Sequence, residues 1–252
     1  MELNELKEFL DFKADQYENP SFLEHDPIQL PHKFSRKEDI EIIGFLMATI
    51  AWGNRKSIIN SGNKLMEIMG NSPHDFIMEY TKKKPFHFVH RTFNTDDLDF
   101  FFRSLHHIYK SSNLECAFCG GDQNKNVKTA INQFRTEFLS IEHLSRSDKH
   151  VSNPQTQSAC KRLIMYLRWM IRDSKKGVDF GIWKGMPPSE LYIPLDVHTG
   201  NIARKLGILE RKQNDWATNE ELIEILRNFD PIDPAKYDFA LFGLGAFEKF
   251  NQ

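Results

Sequence analysis

Residues Ile193 to Leu209 read IPLDVHTGNIARKLGIL. Pro194 fixes its own φ and biases the residue before it towards extended chain, so a helix cannot begin earlier. Asp196 then stands where an N-cap belongs. Ile202, Ala203 and Leu206 recur at helical spacing up to Gly207, where a left-handed residue ends a helix. Upstream lies an irregular stretch, 174–195, holding Gly177, Gly181, Gly185, Pro187 and Pro188 with Phe180, Trp183 and Tyr192 among them. Its composition predicts a long loop anchored by aromatics, and long ordered loops are commonly functional.

Before that loop comes SACKRLIMYLRWMIR, Ser158 to Arg172. Its apolar positions 160, 163, 164, 167, 170 and 171 fall on one helical face. Lys161, Met165, Arg168 and Arg172 fall on another, because steps of 4, 7 and 11 residues return within about 40° of the starting direction. Cations are favoured at the carboxyl end of a helix, so a lysine at the amino end is oddly placed for a merely solvated surface. Such an amine is a candidate nucleophile, and the basic run 161–176 is a candidate local surface for an anionic partner.

The rest of the chain reads as helix. Ser35 with Glu38 forms a capping box ahead of the apolar run Ile40–Trp52, and Thr218 with Glu221 forms another. Ser72–Pro73, Thr95 and Asp233–Pro234 mark further starts, and Gly70 a stop. Alternating β-branched runs with hairpin turns are nearly absent, which predicts an all-α fold. The 252 residues carry 33 basic against 35 acidic side chains, so no global charge marks a nucleic-acid binder. There is no apolar run long enough for a membrane span and no basic start followed by an apolar stretch. A reduced, cytoplasmic protein is expected, since the three cysteines make neither a disulfide framework nor a four-thiolate site. Cys116 and Cys119, near His106 and His107, form a lone CxxC whose spacing is unlike a zinc finger.

The run Pro194, Asp196, Val197, His198, Ile202, Ala203 closely resembles the catalytic-aspartate segment of the helix-hairpin-helix DNA glycosylases, above all the 8-oxoguanine DNA glycosylases. In that superfamily a lysine near the start of the helix after the hairpin precedes the aspartate, and Lys161, 35 residues before Asp196, occupies the matching place. Phe45–Gly70 is similar to the early helix-turn-helix in which these enzymes place their duplex-probing residues. Two departures stand out. The expected Leu-Pro-Gly-x-Gly hairpin is replaced by SNPQTQSAC at 152–160, which has no glycine, and the four-cysteine iron–sulfur loop of one branch is missing, as it is from the 8-oxoguanine branches.

The resemblance implies an uncharacterised bacterial family with an all-α, two-lobed fold. The chain 1–252 would be one glycosylase-like unit, with about 40–150 forming one lobe. About 151–252, joined by the N-terminal 35 residues, would form the other and carry the active-site helices. It implies excision of 8-oxoguanine with AP-lyase chemistry, Lys161 being the nucleophile and Asp196 its electrostatic partner. Candidate DNA contacts are Trp52, Asn54, Arg55, Ser158, Arg162, Arg168, His198 and Thr199, with Trp169, Trp183 and Phe247 as base-pocket candidates. Lys82, Lys83 and Lys84 read as a solvated turn with a minor claim on phosphate. No cofactor or metal is implied. The partner is double-stranded DNA holding a damaged base, met by a monomer without membrane attachment and associated with the nucleoid when acting. The alternative is a catalytically inactive protein of the same fold that binds nucleic acid.

Overall fold

A computed structural model of the chain describes residues 2–81, 86–120, 126–173 and 175–248. The fold is predominantly helical, with one two-residue hairpin, β1 Val89–His90 paired antiparallel with β2 Phe93–Asn94. The α-helices in chain order are α1 Leu3–Tyr17, α2 Lys37–Ile50, α3 Arg55–Ile68, α4 Pro73–Met78, α5 Thr95–Tyr109 and α6 Leu114–Cys119. They are followed by α7 Val127–Phe138, α8 Lys161–Ile171, α9 Val197–Lys205, α10 Trp216–Phe229 and α11 Tyr237–Ala246. None of these helices is long and apolar enough to cross a membrane. The chain divides into two compact units, one of residues 23–152 and one of residues 1–22 with 153–252.

The unit 23–152 is built around α2, buried without a break from Ile40 to Ile50. Phe45 meets Phe101 in a stack at 5.6 Å and Phe134 and Phe138 edge-on at 5.3 Å each, so aromatic rings from α2, α5 and α7 fill the core. Offset and edge-to-face rings add specific geometry to the area they bury. Two buried acids are satisfied from within the unit. Glu41 accepts from Tyr109 Oη at 2.6 Å, and Asp97 accepts from Ser147 Oγ at 2.7 Å and Arg146 Nη1 at 2.9 Å.

In the other unit Leu6, Leu10 and Ala14 of α1 meet Ile202 and Ala203 of α9, Leu222, Ile223 and Leu226 of α10, and Leu241 and Leu244 of α11. The α1–α11 contact is close because position 243 is glycine. A Cβ there would stand 2.0 Å from the Tyr17 ring.

Two helix starts differ from the sequence reading. α2 begins after Arg36, not on a Ser35 cap, because Arg36 Nε engages Glu38 at 3.2 Å while its Nη1 donates to Asp75 at 2.8 Å. α10 begins two residues before Thr218, capped by Asp215, whose Oδ1 accepts from the Thr218 amide at 2.9 Å; Glu221 is taken by the amide of Glu210. The final α-helix follows a short 3-10 turn at Pro234–Lys236. Gly70 and Gly207 have φ of +61° and +73° just beyond α3 and α9, the left-handed ends expected of them.

Candidate active site

α8 is entered through the glycine-free stretch 152–160. Pro154–Thr156 forms a 3-10 turn, after which Gln157 (φ +62°) and Cys160 (φ +48°) both take the left-handed conformation usually left to glycine. The strain is held from outside. Gln157 O accepts from the Trp216 amide at 2.9 Å, Ser158 makes an isolated bridge with Asp215, and Ser158 Oγ accepts from the Cys160 amide at 3.2 Å. Ser158 is thus engaged in shaping the turn that delivers Lys161, the first residue of α8.

Asp196 caps α9 as its sequence position requires. Its Oδ1 accepts from the Thr199 amide at 2.9 Å, and its carbonyl accepts from Asn214 Nδ2 at 3.0 Å. The second carboxylate oxygen, Oδ2, stands 2.9 Å from Lys161 Nζ. One oxygen therefore fixes the carboxylate to the helix, and the other faces the amine. Burial raises the Asp196 pKa, but the charge and hydrogen bond of Lys161, with the Thr199 amide, outweigh it and hold the carboxyl below its usual range. Both side chains stay in contact with solvent, Lys161 at 37% and Asp196 at 25% exposure.

The candidate contacts near the pair differ in what they present. His198 is exposed in the first turn of α9, whereas Thr199 is buried with its amide committed to Asp196. Arg162 is partly buried, and desolvation lowers its pKa. Arg168 corrects the reading of a basic surface. It is 3% exposed, its Nε 3.3 Å from Asp179 Oδ1 and its Nη1 bonded to Asp238 Oδ2, with the guanidinium 4.5 Å over the Phe239 ring. Arg172 is buried likewise among Glu18, Asp179 and Asp233. Neither guanidinium faces solvent, so the basic run read along 161–176 is not a continuous surface.

The base-pocket candidates are not alike either. Trp169 and Trp183 are core residues, 0% and 1% exposed, with Trp183 edge-on to Tyr166 at 5.3 Å. A ring enclosed on all sides has no face to offer a base. Phe247, 56% exposed and stacked on Tyr17 at 5.6 Å, keeps one.

Trp52, Asn54 and Arg55 belong to the unit 23–152. Arg91, which the sequence reading missed, lays its guanidinium 4.7 Å over the Trp52 ring, and a Cβ on Gly53 (φ +107°) would lie 2.9 Å from Arg91 Nη1. His90 donates from Nε2 to the Trp52 carbonyl at 3.1 Å, which leaves Nδ1 to accept from Ser61 Oγ at 2.9 Å. Asn54 caps α3, its Oδ1 accepting from the Ser57 amide at 3.3 Å, and Arg55 is exposed. An open polar groove of about 410 Å³ runs along the same helix, lined by Asn54, Lys56, Ser57, Asn60, Ser61 and Lys64. Lys82, Lys83 and Lys84 lie outside the described residues. Cys116 is exposed and Cys119 buried, and no group of three metal-binding side chains occurs among the described residues.

The carboxylates Glu18, Asp179, Asp233 and Asp238 were also missed as partners of α8. They stand 154, 7, 61 and 70 residues from the arginines they bond, and helical periodicity carries no sign of them. Burial pushes the Asp238 carboxyl up to about 6 against the pull of Arg168, and raises that of Asp179 as well.

These features define a helical protein with a solvent-accessible lysine–carboxylate pair at the amino ends of two helices. Residues 26–247 match the model of the family described as Protein of unknown function (DUF2400), and the chain belongs to that family. No curated protein and no solved structure matches it.

Proposed function

We propose that the chain is a DNA N-glycosylase with AP-lyase chemistry, of the two-lobed helix-hairpin-helix glycosylase fold, which excises oxidised purine, 8-oxoguanine first, from duplex DNA. The observation that carries the reading is the 2.9 Å approach of Lys161 Nζ to Asp196 Oδ2, two residue types that the resemblance pairs in one reaction, both accessible to solvent. The place of Asp196 as the N-cap of α9, at the helix start where the resemblance puts the aspartate, supports the same reading.

The chemistry asks two things of the pair. Loss of the base develops positive charge on the sugar, and a carboxylate held ionised opposes it where it forms. Asp196 is so held. Once Lys161 has given up a proton, its nitrogen bonds C1′, the glycosidic bond breaks, and its electron pair leaves with the base, which takes up a proton. Opening of the sugar ring gives a protonated imine on Lys161. Loss of a 2′ proton then expels the 3′ phosphate, and water returns the free amine. The target base must leave the stack first, at a cost of about a few kcal/mol that is least for damaged or mispaired bases.

Borohydride trapping tests this on duplexes carrying 8-oxoguanine, uracil, an oxidised pyrimidine or an abasic site. Wild type is expected to be trapped on the 8-oxoguanine and abasic duplexes, Arg162→Gln to retain trapping and Lys161→Gln to lose it. No trapping and no released base on any duplex overturns the reading. Salt-dependent duplex binding would then leave a nucleic-acid-binding protein without base excision.

A further inference from the structure

Lys161 opens a helix whose same face, two and three turns on, is sealed in a charge cluster. Position 168 lies seven residues along α8, about 10 Å down the axis and within about 20° of the direction of Lys161. There the Arg168 guanidinium is gripped from two sides, by Asp179 of the loop after α8 and by Asp238 of α11. One turn further, Arg172 Nη1 reaches the other oxygen of the same Asp179 at 3.1 Å, while Nη2 donates to Glu18 Oε2 at 2.9 Å and Nε to Asp233 at 2.9 Å. The Asp179 carboxylate thus spends one oxygen on each arginine. The loop adds backbone bonds, the amides of Phe180 and Trp183 donating to the carbonyls of Trp169 and Met170 at 2.8 and 2.9 Å.

Apolar packing alone specifies the rotation of such a helix weakly, because leucine, isoleucine and methionine side chains repack after small shifts. Directional bonds from a planar guanidinium do not shift so freely. Buried ion pairs are poor sources of stability compared with an apolar core, and setting register is their best-attested use. The partner helix here is α11, which packs against α9, and α9 begins at Asp196. Arg168 therefore ties the helix that starts with the lysine to the one that packs on the helix capped by the aspartate.

We propose that Arg168, held by Asp179 and Asp238, is a positioning residue that fixes the rotation of α8 and thereby the separation of Lys161 and Asp196. The inference deepens the glycosylase reading and rests on it for its catalytic meaning. The test compares wild type, Arg168→Lys and Asp238→Asn on an abasic-site duplex. Arg168→Lys keeps the charge and loses the fork that reaches two carboxylates; Asp238→Asn keeps the size and one contact. Trapping rate at saturating duplex is expected to fall at least tenfold in Arg168→Lys and a few-fold in Asp238→Asn, with duplex affinity changed less than twofold and circular dichroism unchanged. A merely structural residue would move the melting temperature and leave the rate of the folded enzyme alone. A rate within twofold of wild type in folded Arg168→Lys overturns the proposal; if that variant does not fold, the same result in Asp238→Asn does. A second readout needs no DNA. Acetylation of Lys161 by acetic anhydride, followed by mass spectrometry with exposed Lys56 as reference, is expected to quicken several-fold as the pair loosens. If wild type is never trapped, the glycosylase reading falls, and unchanged acetylation in both variants would sink the positioning role separately.

Discussion

The two ends of α8 set basic side chains against carboxylates in opposite surroundings. At its amino end one lysine meets one aspartate, both in contact with water. Towards its carboxyl end two buried arginines meet four carboxylates, of which Glu18, Asp179 and Asp238 are buried with them and Asp233 reaches the surface. An exposed pair is screened and contributes about 0.2–1 kcal/mol, so stability gives little reason for it. A buried cluster behaves differently. The arginines and their buried carboxylates have lost their hydration, and removing any one leaves its partners uncompensated.

The largest effect expected from this contrast is on stability at the buried end. Asp179→Ala would leave Arg168 and Arg172 each short of a bonded carboxylate, and the loss should be about 3–5 kcal/mol by urea unfolding. Lys161→Gln, at the exposed end of the same helix, should cost less than about 1 kcal/mol in the same assay. Equal losses would dissolve the distinction between the two ends.

A smaller effect concerns protons. With all groups ionised the cluster carries four negative charges against two positive, an imbalance that burial penalises. Asp238 answers it, its carboxyl lifted by burial from 3.8 to about 6. A raised carboxyl binds its proton more tightly in the folded state, so this contribution is fully present below the unfolded value near 4 and is lost as pH rises through about 6. Asp196 has the opposite sign. Its carboxyl is lowered, and its contribution is present above the unfolded value and lost as pH falls below it. The two windows separate. Wild type should lose on the order of 1–3 kcal/mol between pH 5 and 7, and Asp238→Asn should show a shallower slope there. An identical slope in both proteins would mean that the cluster holds no proton at Asp238.

What the sequence disclosed follows the same division between local and distant. Asp196 as a cap and Gly70 and Gly207 as left-handed stops follow from residues within a turn or two of each other. The all-α class follows from many such signals together. The arginines defeated the same approach, because Glu18 lies 154 residues from Arg172 and Asp238 lies 70 from Arg168, and a basic run says nothing of acids brought from elsewhere. The entry to α8 was obscured for another reason. Gln157 and Cys160 take backbone conformations that composition assigns to glycine, and bonds from Trp216 and Ser158 help hold them there. Arg91 over Trp52 had no signal at all, since a single arginine in a hairpin turn looks like any solvated side chain.

The smallest stability effect belongs to the residue for which the largest chemical effect is expected, and that asymmetry sharpens the contrast further. Asp196→Asn keeps an acceptor for the Thr199 amide, and asparagine caps helices about as well as aspartate. What it removes is the charge facing Lys161 Nζ at 2.9 Å. Unfolding free energy should therefore change by less than about 1 kcal/mol, while base release should fall about 10²–10³-fold, the scale on which one preorganised electrostatic partner of a transition state acts. Alanine at the same position separates the two roles, since it loses the cap as well and should cost about 1 kcal/mol more with no further loss of rate. If asparagine instead destabilised the fold as severely as Asp179→Ala, the exposed end of α8 would be a structural ion pair, and the case for its chemistry would fail with it.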